Sequence, residues 1–177
     1  GFKIFMFHTL LNEFRPKELE KVDGESYTLL PKGFNYYAGG HPHFVMEKRV
    51  PGYGVITYPG PLMPNNFKEI EELKHGGFFI GDEKMTLRHI PIRIKEVVSF
   101  VVNADHKNPL EVEREIEELI KREEVRDKIV TLRVEGTLKT GKPADIDFQE
   151  IVESMKEAYC VLKNTYGLTN QEFEEMK

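Results

Sequence analysis

The chain has one cysteine, Cys160, no tryptophan and only two glutamines in 177 residues. A single thiol excludes an internal disulfide and any zinc cluster built on cysteines. It fits a reducing, cytoplasmic setting. No apolar run approaches the roughly 18–20 residues that cross a bilayer. No secretory leader is visible either, so no membrane partner is expected. A basic excess is missing too. Net charge is −5, with 10 basic and 11 acidic residues over 1–84 and 15 and 19 over 85–177. Neither half carries the electrostatic footprint of a dedicated nucleic-acid binder. An enzyme that approaches phosphates through metal ions and a few loops stays open.

What is present suffices for one ordinary domain or two small ones. The hydrophobic share is 40%, enough for a sizeable core, and the 31% of charged residues is high. Abundant Lys and Glu lean towards a heat-tolerant source. The chain opens on Gly1 and runs at once into the apolar segment Phe2–Phe7, a start that reads as that of a fragment.

Residues 2–7 read as a buried strand, too apolar to alternate. A short helix is expected near Lys17–Val22 and a second strand at 34–38. His43–Val50 and Gly54–Tyr58 read as a hairpin around Pro51-Gly52-Tyr53-Gly54. A Pro/Asn-rich loop fills 59–66, and Gly77–Gly81 is another strand. From Met85 the pattern is β-β-α-β-α-β, with strands at 85–94, 97–103, 129–135 and 160–165. Asn108, Pro109 and Glu111 mark one helix start, and Asp147 with Glu150 another. Thr169 with Glu172 signals a short tail helix. This order implies a small sheet with two helices on one face. The boundary between the two parts falls at a tight turn near 84.

The residues with the most chemistry are histidines. His8 ends the first apolar run, and Gly39-Gly40-His41-Pro42-His43 follows the second. Neutral imidazole binds manganese, iron and zinc well. Strand ends hold such ligands rigidly, and ligands collect beyond the carboxyl ends of strands in open α/β sheets. Small Gly39 and Gly40 would let the loop turn sharply and admit a ligand close to the backbone. A two-metal site also needs carboxylates. The nearest in sequence, Glu13 and Glu47, fall in segments that read as solvent-facing. A His-X-His step is equally the pattern of a structural pair capping a strand end.

The chain resembles calcineurin-like metallophosphoesterases. It is most similar to the nuclease subunit of double-strand-break repair complexes, the SbcD type in bacteria and the meiotic-recombination-eleven type in archaea. Three features carry the resemblance. They are Phe7-His8 after a strand, the aromatic run Phe34–Ala38 leading to Gly-His-X-His, and Tyr58-Pro59-Gly60 followed by the strand from Gly77-Phe78. Order and spacing match from residue 2 to about 84. Beyond that only the order of elements matches.

The resemblance implies an α/β (α+β) fold. Residues 1–84 would be the C-terminal half of the four-layer phosphoesterase β-sandwich, and 85–177 a small α/β cap domain that binds DNA. It implies two divalent metal ions, manganese first, with magnesium, iron or zinc as alternatives. His8 and His41 would bind one ion and His43 the other. The remaining ligands and the catalytic histidine belong to an N-terminal half whose motifs do not occur here. The implied activity is DNA exo- and endonuclease hydrolysis of phosphodiesters by a water activated between two metals. This fragment would be inactive alone. Implied partners are DNA, the N-terminal half, a coiled-coil ABC-type ATPase of the SbcC kind, and a second copy in a homodimer. A small-molecule phosphodiesterase of the same superfamily, or a non-catalytic interaction fragment, are the alternatives. Pro42 and Pro61 depart from the family's usual residues without touching a ligand.

Lys48, Arg49 and Tyr53 at the hairpin tip are candidates for contact with a DNA backbone. A solvated hairpin end is the plainer reading. His75, His89 and His106 lack partner spacing and read as ordinary residues, and Cys160 as a buried strand residue.

Overall fold

The first apolar run becomes the edge of a sheet in a computed structural model that describes residues 1–171. The chain is mixed α and β and divides into two compact units. One comprises Gly1–Pro64 with His75–Arg93, the other Asn65–Lys74 with the chain from Ile94. Residue 84 lies in a turn within the first unit.

In the first unit, β1 (Ile4–His8), β2 (Tyr36–Gly40), β3 (Val45–Arg49) and β4 (Val55–Pro59) form a sheet in the order β1-β2-β4-β3. The first two and β4 are parallel, and β3 closes an antiparallel hairpin with β4. One face packs an aromatic core. Tyr37, Ile56 and Tyr58 have no solvent exposure, and Phe5, Phe7, Phe34 and Phe44 pack against them. Ring pairs meet edge to face, as Phe7 with Tyr58 at 5.8 Å and Phe44 with Tyr58 at 5.4 Å between centroids. Such pairs add to plain area burial.

The other face differs from the expectation of a wholly buried β1. Phe5 and Phe7 turn inward, but Ile4 is 53% and Met6 79% exposed. The strand alternates after all, and both of its faces are apolar. Parallel strands are normally covered on both sides, and β1 is also the sheet's edge.

Two further strands, β5 (Gly76–Gly81) and β6 (Leu87–Ile92), form an antiparallel hairpin of their own. The sequence pattern assigned β6 to the later sheet. It stays with the first unit because His89 Nε2 reaches Pro59 O at 3.0 Å. Its ring also fills the space beside Gly77, where a Cβ would lie 2.4 Å from His89 Cε1. The expected helix at Lys17–Val22 is a single 3-10 turn at Lys17–Leu19.

In the second unit α1 (Phe67–Leu73) precedes β7 (Val97–Asn103), α2 (Pro109–Arg122), β8 (Ile129–Leu138), α3 (Phe148–Ser154), β9 (Cys160–Asn164) and β10 (Leu168–Asn170). β8 is central and pairs in parallel with β7, β9 and β10. The α2 start is the expected capping box. Asn108 Oδ1 accepts from the Glu111 N–H at 3.0 Å, and Glu111 Oε2 accepts from the Asn108 N–H at 2.8 Å. Val112 and Ile116 of α2 are fully buried against Val130, Leu132 and Val134 of β8.

α1 lies in a stretch, between the loop at 59–66 and the strand from Gly77, to which the sequence pattern assigned no element. Its Glu71 takes Arg133 Nη2 at 2.6 Å and Nε at 3.1 Å, and the guanidinium lies over Phe67 at 5.1 Å. Hydrogen bonding to Glu71 holds the Arg133 pKa above its ordinary value against the cost of burial. Thr169 lies in β10, while Glu172 and the rest of the expected tail helix fall outside the described residues. Cys160 is half-buried at the head of β9.

Candidate functional site

The carboxyl ends of β1 and β2 bring two of the three histidines together. His8 is the last residue of β1 and lies in register with Gly40, the last of β2. His41 follows directly, so its imidazole falls beside that of His8. The ring centroids are 5.3 Å apart and the planes cross at 69°. Both rings are solvent-exposed, beyond the ends of parallel strands, where open α/β sheets place their ligands. His43 is exposed two residues further on, after a buried Pro42.

His41 has φ +88°, a left-handed conformation in a residue that is not glycine. Such conformations are uncommon and cost free energy, and they concentrate at functional sites.

The two glycines work differently from expected. Neither has positive φ; both are strand residues. They make room on opposite faces of β2. A Cβ on Gly39 would lie 2.5 Å from Tyr58 Cε1 and 2.6 Å from Phe7 Cζ. A Cβ on Gly40 would lie 2.9 Å from His8 Nδ1.

Under the pair sits Tyr58, a residue that sequence reasoning noted only as part of Tyr-Pro-Gly. Its hydroxyl donates to Thr9 O at 2.7 Å and accepts from the Leu11 N–H at 3.0 Å. These are the backbone groups that follow His8. Burial pushes the Tyr58 pKa up to about 12, against a smaller lowering by the Leu11 N–H. The hydroxyl therefore keeps its proton, and its bond to Thr9, through the neutral range.

No carboxylate completes the set. Among the described residues, no group of three or more His, Cys, Asp or Glu side chains is gathered closely enough to hold an ion. Glu13 braces a loop instead, accepting from Ser26 Oγ at 2.6 Å and the Tyr27 N–H at 3.1 Å. Burial raises its pKa, but hydrogen bonds from Ser26, Tyr27 and its own backbone N–H together outweigh that and leave it below its ordinary 4.5. Its contribution to stability is thus complete above 4.5 and lost as pH falls through the lower folded value. Glu13→Gln should flatten the acid arm of the stability–pH curve, measured by urea unfolding. An unchanged arm would contradict the brace.

The donor set fits part of a metal centre. Imidazole nitrogens at rigid strand ends suit first-row divalent ions, but the three histidines fall short of the oxygen ligands that a two-metal site uses.

At the hairpin, Lys48 is exposed on β3. Arg49 Nη2 donates to Met85 O at 2.6 Å. Tyr53 packs edge to face with Tyr27 at 5.3 Å and Tyr37 at 5.7 Å. Of the three, only Lys48 extends from the chain without such a contact to the core or to β6's approach.

No protein-family model matches the chain. It is similar to the DNA double-strand break repair protein Mre11 of Methanococcus maripaludis, with 29% identity over 125 residues. The matched stretch is 66% of this chain and 32% of that protein. The chain thus spans about a third of the length of the curated relative it matches.

Proposed function

We propose that this chain is part of a metal-dependent DNA nuclease of double-strand-break repair, of the SbcD or archaeal Mre11 type. The observation that carries the proposal is the imidazole pair of His8 and His41 at the ends of parallel strands. Similarity to a repair protein named Mre11 supports it. Residues 1–84 are read as the C-terminal half of the phosphoesterase domain and 85–177 as its cap.

His8 and His41 would hold one divalent ion, manganese in the first instance, and His43 a second. When bound, the two ions would clamp a phosphate and make a nearby water acidic enough to attack it. The chain's own part is to fix the imidazoles. β1 and β2 set their separation by register, and the strained His41 backbone aims one ring beside the other. The carboxylates are assigned to polypeptide outside these 177 residues. The exposed apolar Ile4 and Met6, which alternate with inward-facing Phe5 and Phe7 up to His8, give that polypeptide a face to cover. Lys48 is the candidate for the DNA backbone, with Arg49 and Tyr53 supporting its hairpin. The coiled-coil ATPase and a second copy remain the proposed partners.

The test is hydrolysis by the completed polypeptide. With manganese it should cut DNA ends in preference to a small aryl phosphodiester, and the 177-residue chain alone should cut neither. Preference for the aryl diester would favour the small-molecule reading. Normal hydrolysis after His41→Ala with His43→Ala would remove the ligand assignment.

A further inference from the structure

The sequence contains two adjacent glycines where one strand ends, and the structure gives each a separate task. Gly40 faces the same side as His8. A Cβ there would lie 2.9 Å from Nδ1, 3.5 Å from Cε1 and 3.8 Å from Cγ of His8, so the ring occupies the space a side chain would need. Gly40 has no positive φ that would call for glycine. It is not part of the aromatic core. The His8 ring is the group that would meet a side chain at this position.

Behind the ring, the backbone just past His8 is held at two points by one hydroxyl. Tyr58 Oη donates to Thr9 O at 2.7 Å and accepts from Leu11 N–H at 3.0 Å. Tyr58 has no solvent exposure. Its ring is fixed edge to face by Phe7 at 5.8 Å and Phe44 at 5.4 Å. Gly39 leaves the room that this ring fills. The imidazole is thus seated on Gly40, and its main chain is tied to β4 through Tyr58.

We propose that Gly40 and Tyr58 are positioning residues for the His8 imidazole. Gly40 fixes where the ring lies, and Tyr58 fixes the backbone that carries it. The proposal rests on the reading of His8 as a metal ligand. It adds that the β1–β2 register and the β4 hydroxyl preset the ligand before metal arrives. A preset ring loses less side-chain freedom on binding. Outer-shell groups hydrogen-bonded to a ligand typically change metal affinity by about 10- to 100-fold when replaced, and the same scale is expected for this steric and backbone support.

The experiment uses the 177-residue chain and Co²⁺ alone, which binds imidazole more tightly than Mn²⁺. Paramagnetic shifts and broadening of the imidazole NMR signals give a binding midpoint for each histidine, and thermal melting is recorded alongside. In the unsubstituted chain His8 and His41 should respond together, and His8→Ala should weaken the His41 response. Gly40→Ala should leave melting unchanged and raise the Co²⁺ midpoint by at least about tenfold. Tyr58→Phe should raise it too, with some loss of stability. If His8→Ala weakens binding while Gly40→Ala and Tyr58→Phe bind as the unsubstituted chain does, the positioning role is overturned and the ligand assignment stands. If the unsubstituted chain shows no selective response, or His8→Ala leaves it intact, the ligand assignment and the positioning role fall together. Should Gly40→Ala lower the melting temperature, Tyr58→Phe decides by itself. A midpoint raised about tenfold supports the proposal, and an unchanged one overturns it.

Discussion

Gly39→Ala should destabilise the first unit by about 3 kcal/mol, the upper part of the range for forced overpacking. The added methyl would meet three ring atoms at once, Tyr58 Cε1 at 2.5 Å, Phe7 Cζ at 2.6 Å and Tyr58 Cδ1 at 2.8 Å. None of these is the free end of a flexible chain. Tyr58 is pinned by its two hydroxyl bonds and by Phe44, and Phe7 is fixed in β1 against Tyr58. Relief would require moving β1 or β4 and breaking the ties to Thr9 and Leu11. The near-UV circular dichroism melt, which follows the aromatic core, should drop by about 4–8 °C for each kcal/mol in a unit of this size. Gly40→Ala, one residue on, should melt normally. Equal melting of Gly39→Ala and the unsubstituted chain would show that the aromatic core is not packed as described.

His41→Gly should separate stability from metal binding. A left-handed backbone costs a non-glycine residue about 1–2 kcal/mol, and His41 sits at φ +88°. Glycine removes that cost but adds freedom to the unfolded chain, so stability should hold or rise by up to about 1 kcal/mol. Metal-dependent hydrolysis by the completed polypeptide should fall by more than about 100-fold, since even residues that merely orient ligands cost 10- to 100-fold. Urea unfolding and hydrolysis measured on the same preparation check both halves. A structural strand-end cap would behave in the opposite way: His41→Gly would lose stability and leave hydrolysis intact.

The placement of two of the candidate histidines was legible in the sequence. His8 and His41 were placed at strand ends by the apolar runs before them, and the strands are there. Parallel register between β1 and β2, which makes the rings neighbours, is a tertiary fact that no local pattern carries. The glycines were misread because a Gly-Gly pair signals a turn by composition, whereas here the neighbouring rings set the requirement. Tyr58 gave no signal of its own, since its partners are backbone groups 47 and 49 residues away.

In the fold, α2 was readable from Asn108, Pro109 and Glu111, which form their capping box unaided. α1 carried the same kind of signal. Asn66 accepts from the Glu69 N–H at 3.0 Å and donates to Glu69 Oε1 at 2.6 Å. The surrounding Pro/Asn-rich loop obscured it. The strand β6 was misassigned because its tie to the first unit runs through His89 and Pro59, thirty residues apart. Residues 2–7 read as a buried strand because all but Lys3 are apolar, and alternation between two apolar faces is invisible without the partner sheet.

The measurement that tests the central claim most directly is anomalous diffraction at the manganese edge from crystals of the completed polypeptide grown with MnCl₂. The ligand assignment predicts a peak within bonding distance of His8 and His41, and a second beside His43. Manganese peaks elsewhere, with none at these imidazoles, would contradict it.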